Sequence, residues 1–139
     1  MSRKHALAVA ACSAAASVAV LAGSPAAVAA VAHPKAGSYA QIKNNKSLMS
    51  FTLSKGYVKQ ASHYDKCVVV PIMMPNIKVT NGKFSFDGKR VDVIGQKWKV
   101  HLDGKFVTKT KAKGTWSAKQ LVGGSCTSTF TYTVTRQAG

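Results

Sequence analysis

The sequence predicts an all-β protein: a small antiparallel β-sandwich with one disulfide, a barrel-like closure being the alternative. Three observations predict it. Past the N-terminal segment, apolar and polar residues alternate over short runs, and no helical apolar period of useful length is found. Turn dipeptides punctuate those runs: Asn81-Gly82, Asp87-Gly88, Gly95-Gln96, Asp103-Gly104 and Gly123-Gly124. Two cysteines, Cys67 and Cys126, form an even pair, most simply a disulfide in an exported chain.

In chain order, short strands are expected at 39–43, 48–53, 57–61, 67–70 and 77–80. Pro71 and Pro75 bracket Ile72-Met73-Met74, which reads as a loop or edge segment because proline cannot donate into a central ladder. Residues 83–112 read as a four-stranded meander. Two-residue turns at Asp87-Gly88 and Gly95-Gln96, then a three-residue loop at Leu102-Asp103-Gly104, put Phe84, Val91, Val93, Trp98, Val100 and Phe106 on one apolar side. The last strand, 126–134, puts Cys126, Phe130, Tyr132 and Val134 on one side and alternating threonines, Thr127 to Thr135, on the other. That threonine row reads as an ordinary hydrated strand face.

The N-terminus reads as a secretory signal. Arg3 and Lys4 precede an uncharged, alanine-rich stretch over 6–22, Pro25 ends it, and two A-x-A sites follow, Ala27-Val28-Ala29 and Ala30-Val31-Ala32. The expected organisation is a signal peptide over 1–29, with cleavage after Ala32 as the alternative, and a single secreted β domain over 30–139. No transmembrane anchor then remains, and Cys12 leaves with the signal. The expected location is extracellular or cell-wall associated. The alanine-rich style resembles signals of high-GC actinobacteria.

Composition limits the chemistry. The chain has four acidic residues, all Asp. Two-carboxylate acid/base catalysis and a carboxylate calcium site have almost no raw material. No G-x-S-x-G elbow is present, so no enzyme activity is expected. His33, His63 and His101 lack metal-ligand spacing, and no metal or cofactor is expected. A minor alternative is a copper-binding periplasmic or extracellular protein: cleavage after Ala32 would make the His33 amine and imidazole a chelating pair. The adjacent Met73 and Met74 read as core or loop filling.

Lysine dominates what is left. Residues 30–139 hold 18 Lys+Arg, 16 of them Lys, against four Asp, a net charge of +14. The meander register places Lys83, Arg90, Lys97, Lys99, His101, Lys105, Lys109 and Lys111 on the outer face, with Asp92 among them. Such a face attracts polyanions through steering and counterion release. The expected partners are teichoic acid, extracellular DNA or an anionic lipid surface. Sequence-specific reading of nucleic acid is not expected, since Arg is nearly absent. The bland reading is a solvated face whose lysines guard against edge pairing. The other alternative is a protein-interaction module, inhibitor- or effector-like, acting through loops 71–76 or 119–125. A monomer is expected.

The strings Asn81-Gly82-Lys83-Phe84-Ser85-Phe86, Asp103-Gly104-Lys105-Phe106-Val107 and Thr110-Lys111-Ala112-Lys113-Gly114-Thr115, with Cys126 near the end, carry a resemblance. Over about 65–139 the chain resembles a recurring secreted bacterial β-domain of actinobacterial type. The resemblance implies a compact β-sandwich with its first cysteine at Cys67. It implies no catalytic residues, because that group has no activity assigned to it.

Overall fold

A computed structural model describes residues 29–139. The expected signal peptide, apart from Ala29, and Cys12 lie outside the described residues. Eight antiparallel strands follow: β1 (Gly37–Lys43), β2 (Lys46–Ser54), β3 (Tyr57–His63), β4 (Ile77–Lys78), β5 (Lys83–Val91), β6 (Lys97–Thr108), β7 (Lys111–Gln120) and β8 (Thr127–Arg136). They form one sheet in the order β4-β3-β2-β1-β8-β7-β6-β5. The Asn81-Gly82 turn then carries the β4 edge into the β5 edge, so the sheet curls into a nearly closed barrel. The all-β expectation holds, in its barrel-like form. Among the described residues no helix is long and apolar enough to cross a membrane.

Local chemistry makes the hairpins. Asn44-Asn45, Lys55-Gly56 and Asn81-Gly82 all have positive φ at both positions. That mirror-image backbone matches the right-handed twist of the flanking strands, and Asn and Gly tolerate it best. These turns, with 109–110 between β6 and β7, alternate the strands between two ends. The upper end carries turn 44–45 and loops 64–76, 92–96 and 121–126. The lower end carries the other turns.

Asp87-Gly88 and Asp103-Gly104, expected as turns, lie inside β5 and β6, which run straight through them. The four-stranded meander over 83–112 is therefore two long strands and the start of β7. The glycines have another task. Phe84, Gly104, Gly114 and Tyr132 face one another across β5, β6, β7 and β8 on the inner wall. A Cβ at Gly104 would stand 2.3 Å from the Phe84 ring and 2.5 Å from Tyr132 Oη. The two rings use the space that the glycines leave, and Tyr132 Oη donates to Asp103 O at 2.6 Å. At Gly114 a Cβ would stand 1.9 Å from Asp103 O, a backbone atom that cannot rotate away. Gly114→Ala should destabilise the fold by about 3 kcal/mol. Chemical denaturation checks this, and a loss below about 1 kcal/mol would show that the wall relaxes.

Two bulges also re-aim side chains. In the β2–β3 ladder Ser50 faces Ser62 but Thr52 faces Lys59, so Gln60 and Ala61 together oppose Phe51. Gln60 takes φ 53° there. The inward parity shifts from Val58 to Ala61 and His63, and His63 enters the interior. In the β1–β2 ladder Leu48 is the extra residue. Its carbonyl accepts from the Tyr64 amide at 3.3 Å and faces His63 Nδ1.

The core has two storeys. Below, Tyr39, Phe51, Phe84 and Phe106 pack with ring centroids 5.3–6.2 Å apart, mostly edge to face. Above, His63 stacks on Phe130 at 4.4 Å beside Trp116. A seam runs lengthwise between β1 and β8. β1 and β8 share only the pairs Tyr39–Arg136 and Ala40–Thr135, at the lower end. Higher up, side chains replace the ladder: the Thr133 amide donates to Gln41 Oε1 at 3.0 Å. Ser128 Oγ donates to Asp65, and Cys67 is bonded to Cys126 with Cα atoms 5.7 Å apart. The disulfide expectation is met. The expected strand at 67–70 is instead loop, with Val68 buried beneath it.

Candidate polyanion-binding face

The outer wall of β5, β6 and β7 follows from period-two alternation. On β6, Trp98, Val100, Leu102, Gly104 and Phe106 point inward, so Lys97, Lys99, His101, Asp103 and Lys105 point out. On β7, Ala112, Gly114, Trp116 and Ala118 alternate with Lys111, Lys113, Thr115, Ser117 and Lys119. On β5, Lys83, Ser85, Asp87 and Lys89 face out.

Register then sorts these residues into rows. Lys83 faces Lys105, and Lys105 faces Lys113; this is the lower lysine row. Lys89 faces Lys99, and Lys99 faces Lys119; this is the upper row. Within a row the strands are about 4.8 Å apart, and six residues along each strand separate the rows by about 20 Å. On β8 the rows continue as Thr133 and Thr127. Like charges directly opposite each other cost roughly 0.2–1 kcal/mol per pair.

A polar band lies between the rows. His101 Nδ1 is 3.2 Å from Asp87 Oδ2, and its Nε2 is 3.2 Å from Asp103 Oδ2. Both carboxylates accept, so only the doubly protonated ring donates to both. Burial alone would raise the Asp103 pKa. The Thr115 hydroxyl at 2.8 Å, the Thr115 amide at 3.0 Å and His101 outweigh it and hold that carboxyl below its usual range. Beneath the wall, burial pushes the Tyr132 phenol pKa up, and the Asp103 charge adds to the effect.

The other two acids are structural. Asp92, expected on the lysine face, is 2 % exposed. Its carboxylate accepts from Trp98 Nε1 at 3.0 Å and from the Ile94 and Gln96 amides at 3.0 and 2.9 Å, tying the 92–96 loop. Those bonds outweigh the upward push of burial and lower its pKa. Asp65 is likewise lowered: burial opposes, and Ser128, the Val68 and Cys67 amides and His63 prevail. So Asp65, His63 and Ser128 form a seam contact. The order runs hydroxyl to carboxylate to ring, and His63 does not stand between the other two as a base would.

Of the residues expected on the face, Lys83, Lys97, Lys99, His101, Lys105 and Lys111 stand there, and Lys109 sits in the exposed β6–β7 turn at its lower margin. Arg90 does not. With no turn at Asp87-Gly88 the parity past Gly88 reverses: Lys89 points out, and Arg90 is half-buried, donating from Nε to Met73 O at 2.6 Å. Val91 and Val93, expected in the core, are exposed for the same reason. Lys113 and Lys119 were missed as well, although the alternation Ala112, Gly114, Trp116, Ala118 marks their strand. A groove of about 720 Å³ crosses the lower row, lined by Lys83, Lys105 and Lys113 together with Lys78 of β4 and Thr80 just after it. His33, His63 and His101 lie at the lower end, in the core and on the outer wall, so they do not converge. Among the described residues no group of three His, Cys, Asp or Glu is placed to hold a metal.

The fold and this face together define a class: a basic, disulfide-bonded, barrel-like β protein that presents paired rows of lysine. Comparison with protein-family models, with curated proteins and with solved structures gives no match to this chain.

Proposed function

We propose that the protein is a secreted, non-enzymatic, monomeric binder of phosphate-bearing envelope or extracellular polymers, such as teichoic acid or extracellular DNA, acting through the outer wall of β5–β7. The observation that carries this reading is the pair of three-lysine rows, stacked against their own repulsion. The acids add support, because each is engaged by a histidine, a hydroxyl, an indole or backbone amides. Spaced ammonium groups on a rigid sheet match a flexible chain of phosphates without a shaped pocket, and they read charge density, not sequence.

The test is retention on immobilised teichoic acid and on single-stranded DNA as a function of salt. Engagement of six lysines gives log K falling against log salt with a slope of about −4 on single strands. A slope near zero, or no retention at low salt, would overturn the reading.

A further inference from the structure

The upper end of the barrel has a different chemistry from the wall. Every large apolar side chain left exposed among the described residues, except Tyr57, belongs to that end. The most exposed stand at loop tips: Ile94 at 73 %, Val69 at 71 %, Val122 at 61 % and Val93 at 56 %. A crown of this kind is not the scatter of single apolar residues that any surface carries.

The crown is also held in place. The disulfide joins loop 64–76 to loop 121–126. Gln96 Nε2 donates to Val122 O at 2.8 Å, and the Leu121 amide to Lys97 O at 3.0 Å. The Met73 amide donates to Val91 O at 2.9 Å, and the Val93 amide to Pro71 O at 3.2 Å. Three loops therefore present their tips from a fixed frame, with little ordering left to do on contact.

Charge selects the partner. Lys43 and Lys46 flank the 44–45 turn, Lys66 lies in loop 64–76, and the upper lysine row stands just below the 92–96 and 121–126 tips. The acids at this end are Asp92, buried under its loop, and Asp65, engaged by Ser128, His63 and two amides. An apolar tip inside a cationic collar is complementary to a bilayer interface with anionic headgroups: the tips enter the acyl boundary while the ammonium groups stay at the phosphates.

We infer that the upper end is a membrane-docking surface, which seats Val93-Ile94, Leu121-Val122 and Val69 in the interface of an anionic lipid bilayer. It borders the wall of β5–β7 and shares the upper lysine row with it, but its apolar tips lie outside the wall and it does not depend on the polymer reading. Ile94→Asp combined with Val122→Asp tests it, since both side chains are exposed and their loss leaves the core intact. The disulfide-bonded protein should co-sediment with vesicles of equimolar phosphatidylcholine and phosphatidylglycerol, and weakly with phosphatidylcholine alone. The double variant should bind the mixed vesicles about tenfold less or weaker, while its retention on a DNA column stays unchanged. No binding of the parent protein to the mixed vesicles, or equal binding by the variant, overturns the inference. So does a parent dimer in sedimentation that the variant dissolves, which would assign the crown to a second copy of the chain. Loss of DNA retention in the parent protein would count against the polymer reading alone.

Discussion

Replacing Lys83, Lys105 and Lys113 with Gln together is expected to weaken polyanion binding by roughly a hundredfold at low salt. The figure follows from about 1 kcal/mol for each cation near an anionic surface, with 1.4 kcal/mol for each factor of ten. The salt slope should also flatten by about 2 units, as three phosphate contacts disappear. These three lysines face one another across adjacent strands and line the groove together with Lys78. Gln keeps much of the aliphatic stem and ends the like-charge repulsion within the row. The matched control is Lys46, Lys55 and Lys59, replaced by Gln together on the β2–β3 side of the barrel. Salt-dependent retention compares the two sets. Equal losses would mean that net charge alone drives binding, and the wall would lose its claim to be a site.

Replacing Cys67 and Cys126 with Ser is expected to cost about 4 kcal/mol, the chain-entropy estimate for a bridge of this span. The two residues are 59 apart in sequence. The location adds to the argument. The bond clasps the upper half of the seam, where β1 and β8 no longer pair and the His63–Phe130 stack, the Asp65–Ser128 bond and the Gln41 bridge span the gap. Urea unfolding of the double variant against the oxidised protein measures the loss. A difference below about 1 kcal/mol would show that the side-chain contacts hold the seam without it. Because the same bond frames the apolar crown, the variant should also bind mixed vesicles less tightly.

Much of the architecture was legible in the sequence, for reasons that can be named. Alternation along 126–134 put Phe130, Tyr132 and Val134 inside, and they are. Asn81-Gly82 read as a hairpin turn and is one, because both residues take the left-handed backbone. Asp87-Gly88 and Asp103-Gly104 carry the same local signal and are not turns. Gly88 leaves room for the Phe86 ring two residues back on its own strand, and Gly104 answers a demand from neighbouring strands, room for Phe84 and Tyr132. That demand depends on cross-strand register, which local pattern does not contain. One absent turn then exchanged Lys89 for Arg90 on the wall and brought Val91 and Val93 out of the core. The lysine face was found in outline, through β6, but its two-row order depends on a β7 strand that was not recognised. Loops 71–76 and 119–125 were read as candidate interaction loops, but the apolar crown was not, because its tips are far apart in sequence and only the shared end of the barrel gathers them.

The strand order has a consequence for a chain that emerges N-terminus first. β1, β2 and β3 neighbour one another in sequence and in space, as do β5, β6, β7 and β8. Each stack can form by local zippering, which is fast because little loop entropy opposes it. The join between them is β1 against β8, the first strand against the last. Until β8 is in place, the first stack keeps a raw edge and the cylinder has nothing to shut against.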